Sequence, residues 1–375
     1  MLLAPAPAHA QMDTVRVVGI RVENPIALVR HDETVSVPWF DLQRLIAKGT
    51  KVRVVDAEGR EIPSQVVDDD GNDALLFQAD FGEKESRHFT IQERAPTQKY
   101  ASKAYVYHDL ERDDIAWESD RIAYRIYGEG LKKTPSAMSS AGIDVWNKRT
   151  RALIIDRWYA KGHDSYHVDT GEGADFYDVN ETLGNGGTAG WARDSIWRPD
   201  NFKQWRIIAN GPIRAIFELT YAPFNVAGAP VAEVKRIAID AGSNVYRATS
   251  TFSTPKGGTI TYVIGTVKRP GMNGTMSRNN TWAWLTGWGP VAPKSGGHGE
   301  MGTAVLLPSA SVVDWKEAFG HYLAVAKATS GTPVTHYVGA GWTASGDFPT
   351  PQSWWKYLDD TAQRIAAPVR VTIER

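Results

Sequence analysis

Val15-Arg-Val-Val-Gly-Ile-Arg-Val22 and Lys51-Val-Arg-Val-Val55 decide the fold class. Both runs are β-branched and partly alternating, and the turn residues Asp56-Ala-Glu-Gly59 follow the second. β-Branched side chains pack well on a pleated surface, so such runs read as strands. Leu75-Leu-Phe-Gln78 and Arg87-His-Phe-Thr-Ile91 continue the series, and residues 12–95 read as a small β-sandwich. Ala95-Pro-Thr-Gln-Lys99 reads as a linker. Beyond it, strands are expected at 121–127, 152–155, 206–208, 213–221, 232–240, 244–252, 260–267, 303–307, 321–327, 335–338 and 368–373. One helix is expected at 354–366, because Trp354, Leu358, Ala362 and Ile365 fall on one face. Many short strands without βαβ spacing predict an all-β chain: a small N-terminal β-sandwich over 12–95 and a large antiparallel supersandwich over 100–375.

Composition narrows the partners. Lys and Arg number 42 against 43 Asp and Glu, a net charge of −1. Binding to a phosphate backbone draws on a basic excess, so nucleic acid is not an expected partner. No apolar run approaches the ~20 residues of a membrane span. The chain has 0 Cys, which excludes disulfides, thiolate metal sites and a cysteine nucleophile. Trp and Tyr number 14 each, a supply of flat rings that serve cores or stack on ligand rings. Ala8-His9-Ala10 before Gln11 has the small-x-small form of a signal-peptidase site. Residues 1–11 therefore read as the remnant of a secretory signal, in a periplasmic or secreted protein.

Four segments carry chemistry. Ile115-Ala-Trp-Glu-Ser-Asp-Arg-Ile-Ala-Tyr-Arg-Ile-Tyr-Gly128 reads as a strand whose core face is Ile122, Tyr124 and Ile126. Its other face would then carry Trp117, Arg121, Arg125 and Tyr127. Rings that stack and guanidinium forks that grip carboxylates suit an acidic sugar, although an arginine–aromatic lattice under a loop has the same composition. Asp144, Trp146 and Lys148 share a face in Gly142-Ile-Asp-Val-Trp-Asn-Lys-Arg149. His163-Asp-Ser-Tyr-His-Val-Asp-Thr-Gly-Glu-Gly-Ala-Asp-Phe-Tyr177 is the densest in titratable groups. His163 and His167 are four apart, on one side of a strand or a helix alike. They could move protons, or hold a divalent metal with Glu172 or Asp175. Gly296-Gly-His-Gly-Glu300 and Tyr337-Val-Gly-Ala-Gly-Trp342 add His298 and Trp342.

Taken together, Arg112–Tyr127, Gly142–Trp146, Tyr166–Tyr177, Thr182–Gly187 and Tyr337–Trp342 resemble a bacterial family known mainly as an uncharacterised domain, found beside or fused to unsaturated glucuronyl hydrolases. Ser119 departs from the pattern, where Asn is expected, which removes support for a role there. The resemblance implies a galactose-mutarotase-like supersandwich and action on uronate-containing oligosaccharides, in concert with such a hydrolase. A neighbour that consumes 4,5-unsaturated uronates needs an enzyme that makes them, by elimination of water or of a glycosidic oxygen.

The residues accommodate a dehydratase or lyase of this kind. The C5 proton of a uronate is weakly acidic until its carboxylate charge is taken up; a base then removes it and an acid protonates the departing oxygen. The catalytic set expected is His163, Tyr166, His167, Arg125 and Glu172, with Arg125 on the carboxylate. The substrate-binding set is Trp117, Arg121, Tyr127, Trp146, Lys148, Asp175, Tyr177, His298 and Trp342. Trp117, Arg125, Trp146, His163, His167 and Glu172 should line one groove. No cofactor is expected beyond the open case of a metal at His163 and His167. The rivals are a glycoside hydrolase using Glu172 with Asp175 or Glu300, a non-catalytic carbohydrate-binding module, and a mutarotase.

Overall fold

Residues 15–133, 141–291 and 297–374 are described in a computed structural model. The expected leader, residues 1–11, lies outside them, as does Gly296. Val18, Ile20 and Val22 point inward on Val17–Glu23 while their neighbours face out, the period-two pattern of a half-buried strand. This strand belongs to a five-stranded sheet ordered Arg370–Glu374, Val17–Glu23, Ser86–Gln92, Arg53–Asp56, Glu61–Ile62. A three-stranded sheet, Arg30–Pro38, Ala74–Phe81 and Ser64–Val67, closes over it. Ile20, Val35, Leu75, Phe77 and Phe89 fill the space between, beside the short helix α1 (Trp39–Leu42).

The expected placement of 368–373 in the larger unit needs correcting. Arg370–Glu374 pairs antiparallel with Val17–Glu23, so the end of the chain returns to the N-terminal sheet. Its alternating burial, with Val371 and Ile373 packed on the N-terminal core, gives that edge a partner.

The larger part is an antiparallel supersandwich. A nine-stranded sheet, with Arg214–Thr220, Ala229–Asp240, Val245–Ser253, Pro333–Trp342, Glu300–Pro308 and Trp282–Pro290 at its centre, faces two five-stranded sheets. One of these is ordered Gly173–Asp175, Asp144–Lys148, Ala123–Tyr127, Asp114–Ser119, Ala104–Asp109. Trp117, Tyr124, Phe217, Ile237, Tyr246 and Ile264 belong to the common core. Burying side chains of this size stabilises by about 1.5–3 kcal/mol each.

Two further expectations change. The run 152–155 is not a strand: it leads into helix α2 (Ile155–Lys161). The run 115–128 is not one strand but a hairpin. The helix expected at 354–366 is α3 (Pro351–Ala366), opened by a Thr350–Ser353 capping box with Pro351 in the first turn. Trp354, Leu358 and Ala362 bury one stripe of it on the outer face of the nine-stranded sheet. Among the described residues, no helix is long and apolar enough to cross a membrane.

Candidate active site

The site begins with the hairpin. The chain reverses after Ser119, whose N–H donates to the carbonyl of Ile122 at 3.0 Å. Trp117 then pairs with Tyr124 and Ala116 with Arg125. Trp117 therefore shares the inner face with Tyr124, buried among Tyr124, Phe217 and Tyr246 with ring centroids 5.1–5.5 Å apart. It cannot line a groove with Arg125, which is on the outer face. Arg121 is in the turn, directed to Asp347 and Asp32 at 3.3 and 3.5 Å, away from the Arg125 cluster.

Two more strands extend the outer face. Arg125 pairs with Asp144, and Trp146 with Asp175. The approach is tight at Gly173: its φ is +107°, and a Cβ there would stand 1.9 Å from the carbonyl oxygen of Asn147, so only glycine fits. Asp169 shapes the same turn by accepting from the N–H groups of Gly171 and Gly173 at 2.8 and 3.0 Å. Residues 149–172 fold back over this face through α2 and a 3₁₀ turn, Ser165–His167. Trp146 stacks under Trp158 and Tyr166 at 5.5 and 4.9 Å and is sealed, so it offers no ring to a sugar.

Arg125 is the hub. Its Nη2 donates to Asp144 Oδ2 at 2.7 Å, Asp175 Oδ2 at 2.9 Å and the Tyr127 hydroxyl at 2.9 Å; its Nη1 donates to the Tyr166 hydroxyl at 2.8 Å. Only 5% exposed and committed on both Nη atoms, it cannot hold a substrate carboxylate as expected. Tyr127 donates its own proton to Asp144 Oδ2 at 3.0 Å. Burial, and then the neighbouring Asp144, push the Asp175 carboxyl well above the usual range, against the pull of Arg125.

His167 stands at the open edge. Its Nδ1 is 3.0 Å from the carbonyl oxygen of Asp175, an acceptor only, so Nδ1 carries the hydrogen and Nε2 the lone pair. Burial lowers its pKa from the ordinary histidine value, and His163 and Arg125 act in the same direction. It is thus a neutral imidazole at pH 7 with its side chain 36% exposed. His163 packs against it, ring centroids 4.9 Å apart, and meets the Tyr166 ring edge to face at 5.4 Å, but is more exposed, with the adjacent Asp164 carboxylate 3.4 Å from its Nδ1. Among the described residues, no three His, Asp or Glu side chains gather as a metal would need.

Other expected residues are placed elsewhere. Lys148 is fully buried against Glu118 at 2.5 Å and cannot bind substrate. Tyr177 is in the common core under Arg269. Glu172 pairs with Arg157 at 2.8 Å and Lys161 at 3.6 Å, and Glu300 accepts from Trp288 Nε1 at 2.9 Å, so neither forms a carboxylate pair with Asp175. His298 and Trp342 do meet, in an adjoining patch: His298 stacks on Phe176 at 4.3 Å, and Trp342 Nε1 donates to the His298 carbonyl at 2.6 Å.

Residues 22–371 match the family described as a domain of unknown function, DUF4861. The chain belongs to the DUF4861 family. It is 30% identical over 382 residues to the uncharacterized protein P7 of Formosa agariphila, covering 95% of this chain and 93% of that one. Among solved structures it is similar to a protein in the glycosyl hydrolase family 38 from Enterococcus faecalis (TM-score 0.52) and to an alpha-mannosidase from Enterococcus faecalis V583 (TM-score 0.51), each at 9% identity. The likeness covers 96% of this chain, but the chain spans about half of those proteins, 47% and 46%. At that identity it speaks for the β-sandwich fold alone.

The candidate site also holds Asp144 and Arg149, which were not among the expected site residues. Asp144 shares a face with Trp146 and Lys148, and that alternation was the available signal. Arg149 had none: it bonds Asp169 through Nε at 2.7 Å and lies 4.6 Å over the Trp342 ring, and neither Nη donates to a described residue. Its guanidinium fork is exposed, whereas that of Arg125 is buried and committed.

Proposed function

We propose that this protein is a carbohydrate-active, β-eliminating enzyme that forms a 4,5-unsaturated uronate at the end of a uronate-containing oligosaccharide. The observation that carries the reading is His167, a neutral imidazole with a fixed tautomer at the edge of a buried arginine–carboxyl network. Arg149, over Trp342, takes the substrate carboxylate and so acidifies C5–H. His167 Nε2 removes the C5 proton, the C4=C5 bond forms, and the C4–O bond breaks. The departing oxygen takes the proton of the partly exposed Tyr127, which its hydrogen bond to Asp144 Oδ2 holds in place. Solvent takes the proton from His167 and returns one to Tyr127, which closes the cycle.

Hydrolysis is less well supported. Asp144 and Asp175 both accept from Nη2 of the buried Arg125, which stands between them where glycosidases, with carboxyls about 5–9.5 Å apart, admit a sugar and a water. The leader pattern Ala8-His9-Ala10 supports a periplasmic or secreted location, and the product is the substrate of an unsaturated glucuronyl hydrolase. The test is incubation with uronate-terminated oligosaccharides while the absorbance of the C4=C5 enoate is followed. Growth of that band supports elimination; sugar release without it means hydrolysis and overturns the reading.

A further inference from the structure

The opposite side of the supersandwich carries a trench that the proposed reaction does not use. Its floor is the outer face of the nine-stranded sheet, where Arg214 is opposite Asp240 and Arg247 is opposite Tyr337 on neighbouring strands. One wall is the strand Arg30–Pro38 of the N-terminal domain, with His31 and Thr34; the other is α3, with Tyr357 and Arg364. The cavity between them is about 420 Å³, room for one or two sugar rings.

Its charges are not all matched. Arg214 is satisfied by a bidentate pair with Asp240, at 2.5 and 2.7 Å. Arg364 approaches Glu33 at 3.8 Å. Arg247 is exposed on the floor; its charge helps hold the Asp240 carboxyl down, but Asp240 is bonded to Arg214, and the Arg247 fork itself makes no hydrogen bond with a described residue. Beside it stands the ring of Tyr337, held edge to face by Trp282 at 5.5 Å. A free guanidinium fork next to a fixed aromatic ring, at the bottom of a walled cavity, recognises a planar carboxylate attached to a ring with an apolar face. Walls from two separate parts of the fold keep that geometry in place.

We propose that this trench binds a uronate residue of an acidic saccharide, at a site separate from the His167 cluster. The choice of a sugar as bearer of the carboxylate rests on the function proposed above; the carboxylate itself rests on Arg247. Such a site lets the enzyme stay on an acidic glycan while its other side acts on chain ends.

The experiment is calorimetric titration of trigalacturonate into His167→Ala, with maltotriose as the neutral control. Trigalacturonate should bind and maltotriose should not. Adding Arg247→Ala should weaken trench binding about tenfold or more, and Arg247→Lys should restore only part of it, because lysine lacks the fork. Arg247→Ala alone should leave enoate formation at saturating substrate unchanged. Equal binding of trigalacturonate with and without Arg247, or equal binding of maltotriose, overturns the proposal. If no protein forms enoate yet binding still depends on Arg247, elimination fails and the trench stands. Enoate formation with Arg247-independent binding is the reverse case.

Discussion

Lys148 and Arg125 lie on neighbouring strands of one sheet face, both buried, and they are partnered in opposite ways. Lys148 meets one carboxylate, Glu118 at 2.5 Å, and the Ser119 carbonyl at 2.7 Å. Glu118 in turn accepts from the N–H groups of Ile154 and Ile155, which opens α2. Each charge there has its counter-charge, and nothing leads out. Arg125 faces two carboxyls, leaves its buried Nε without a partner, and adjoins a half-exposed histidine. Burial of charge is common to both. Imbalance beside an opening belongs only to the second, and that separates a candidate site from an internal brace.

The contrast can be broken most sharply at Glu118. Glu118→Ala leaves Lys148 buried and unpaired and should cost about 3–5 kcal/mol in urea denaturation, while the folded fraction keeps its turnover. A loss below 1 kcal/mol, or a folded but inactive protein, would erase the distinction between brace and site.

Asp114, at the edge of the same face, sharpens it through pH. Burial raises its carboxyl to about 6, although Tyr159 donates to it at 2.7 Å. The folded state thus holds this proton more tightly than the unfolded chain. The stabilisation is full below about pH 4 and is lost as pH rises through about 6. Asp114→Asn should remove that slope, a gain of about 3 kcal/mol at pH 7 relative to wild type. Parallel stability–pH curves for the two proteins would show that Asp114 titrates normally.

Smaller effects separate the roles within the cluster. Arg125→Lys keeps a charge but cannot reach both carboxyls and both tyrosines, so it should destabilise by about 1–3 kcal/mol and depress turnover. His163→Ala removes an exposed ring and should change stability by less than about 0.5 kcal/mol, with turnover near wild type. A strong kinetic defect in His163→Ala would return it to the catalytic set.

The all-β class was readable because alternation and β-branching are local, and Val17–Glu23 or Thr259–Val267 needs no distant partner to be recognised. Trp117 escapes a period-two reading of 115–128 because the hairpin turn within that run puts Trp117 opposite Tyr124 on the inner face. The turn formers Ser119 and Asp120 mark a break in a run of 14 residues, long for a strand. Trp146 was put on the right face, but that face is covered by residues 149–172, and no period within residues 142–149 reveals what folds over them. His167 and Tyr166 were legible as a dense titratable segment. Their division into a part-exposed imidazole and a buried phenol depends on the 3₁₀ turn, on Arg125 and on Asp175, contacts made only in the fold.

The most direct measurement is the rate of enoate formation by His167→Ala beside wild type, followed from pH 5 to pH 8 with both proteins confirmed as folded. Wild-type kcat/KM should fall on the acid side with a midpoint below about 6.5, as burial of a neutral histidine requires. His167→Ala should lose about 10²–10⁴ in rate and lose that acid limb with it. Wild-type turnover in His167→Ala, or an acid limb that survives the substitution, would remove His167 as the base and contradict the account.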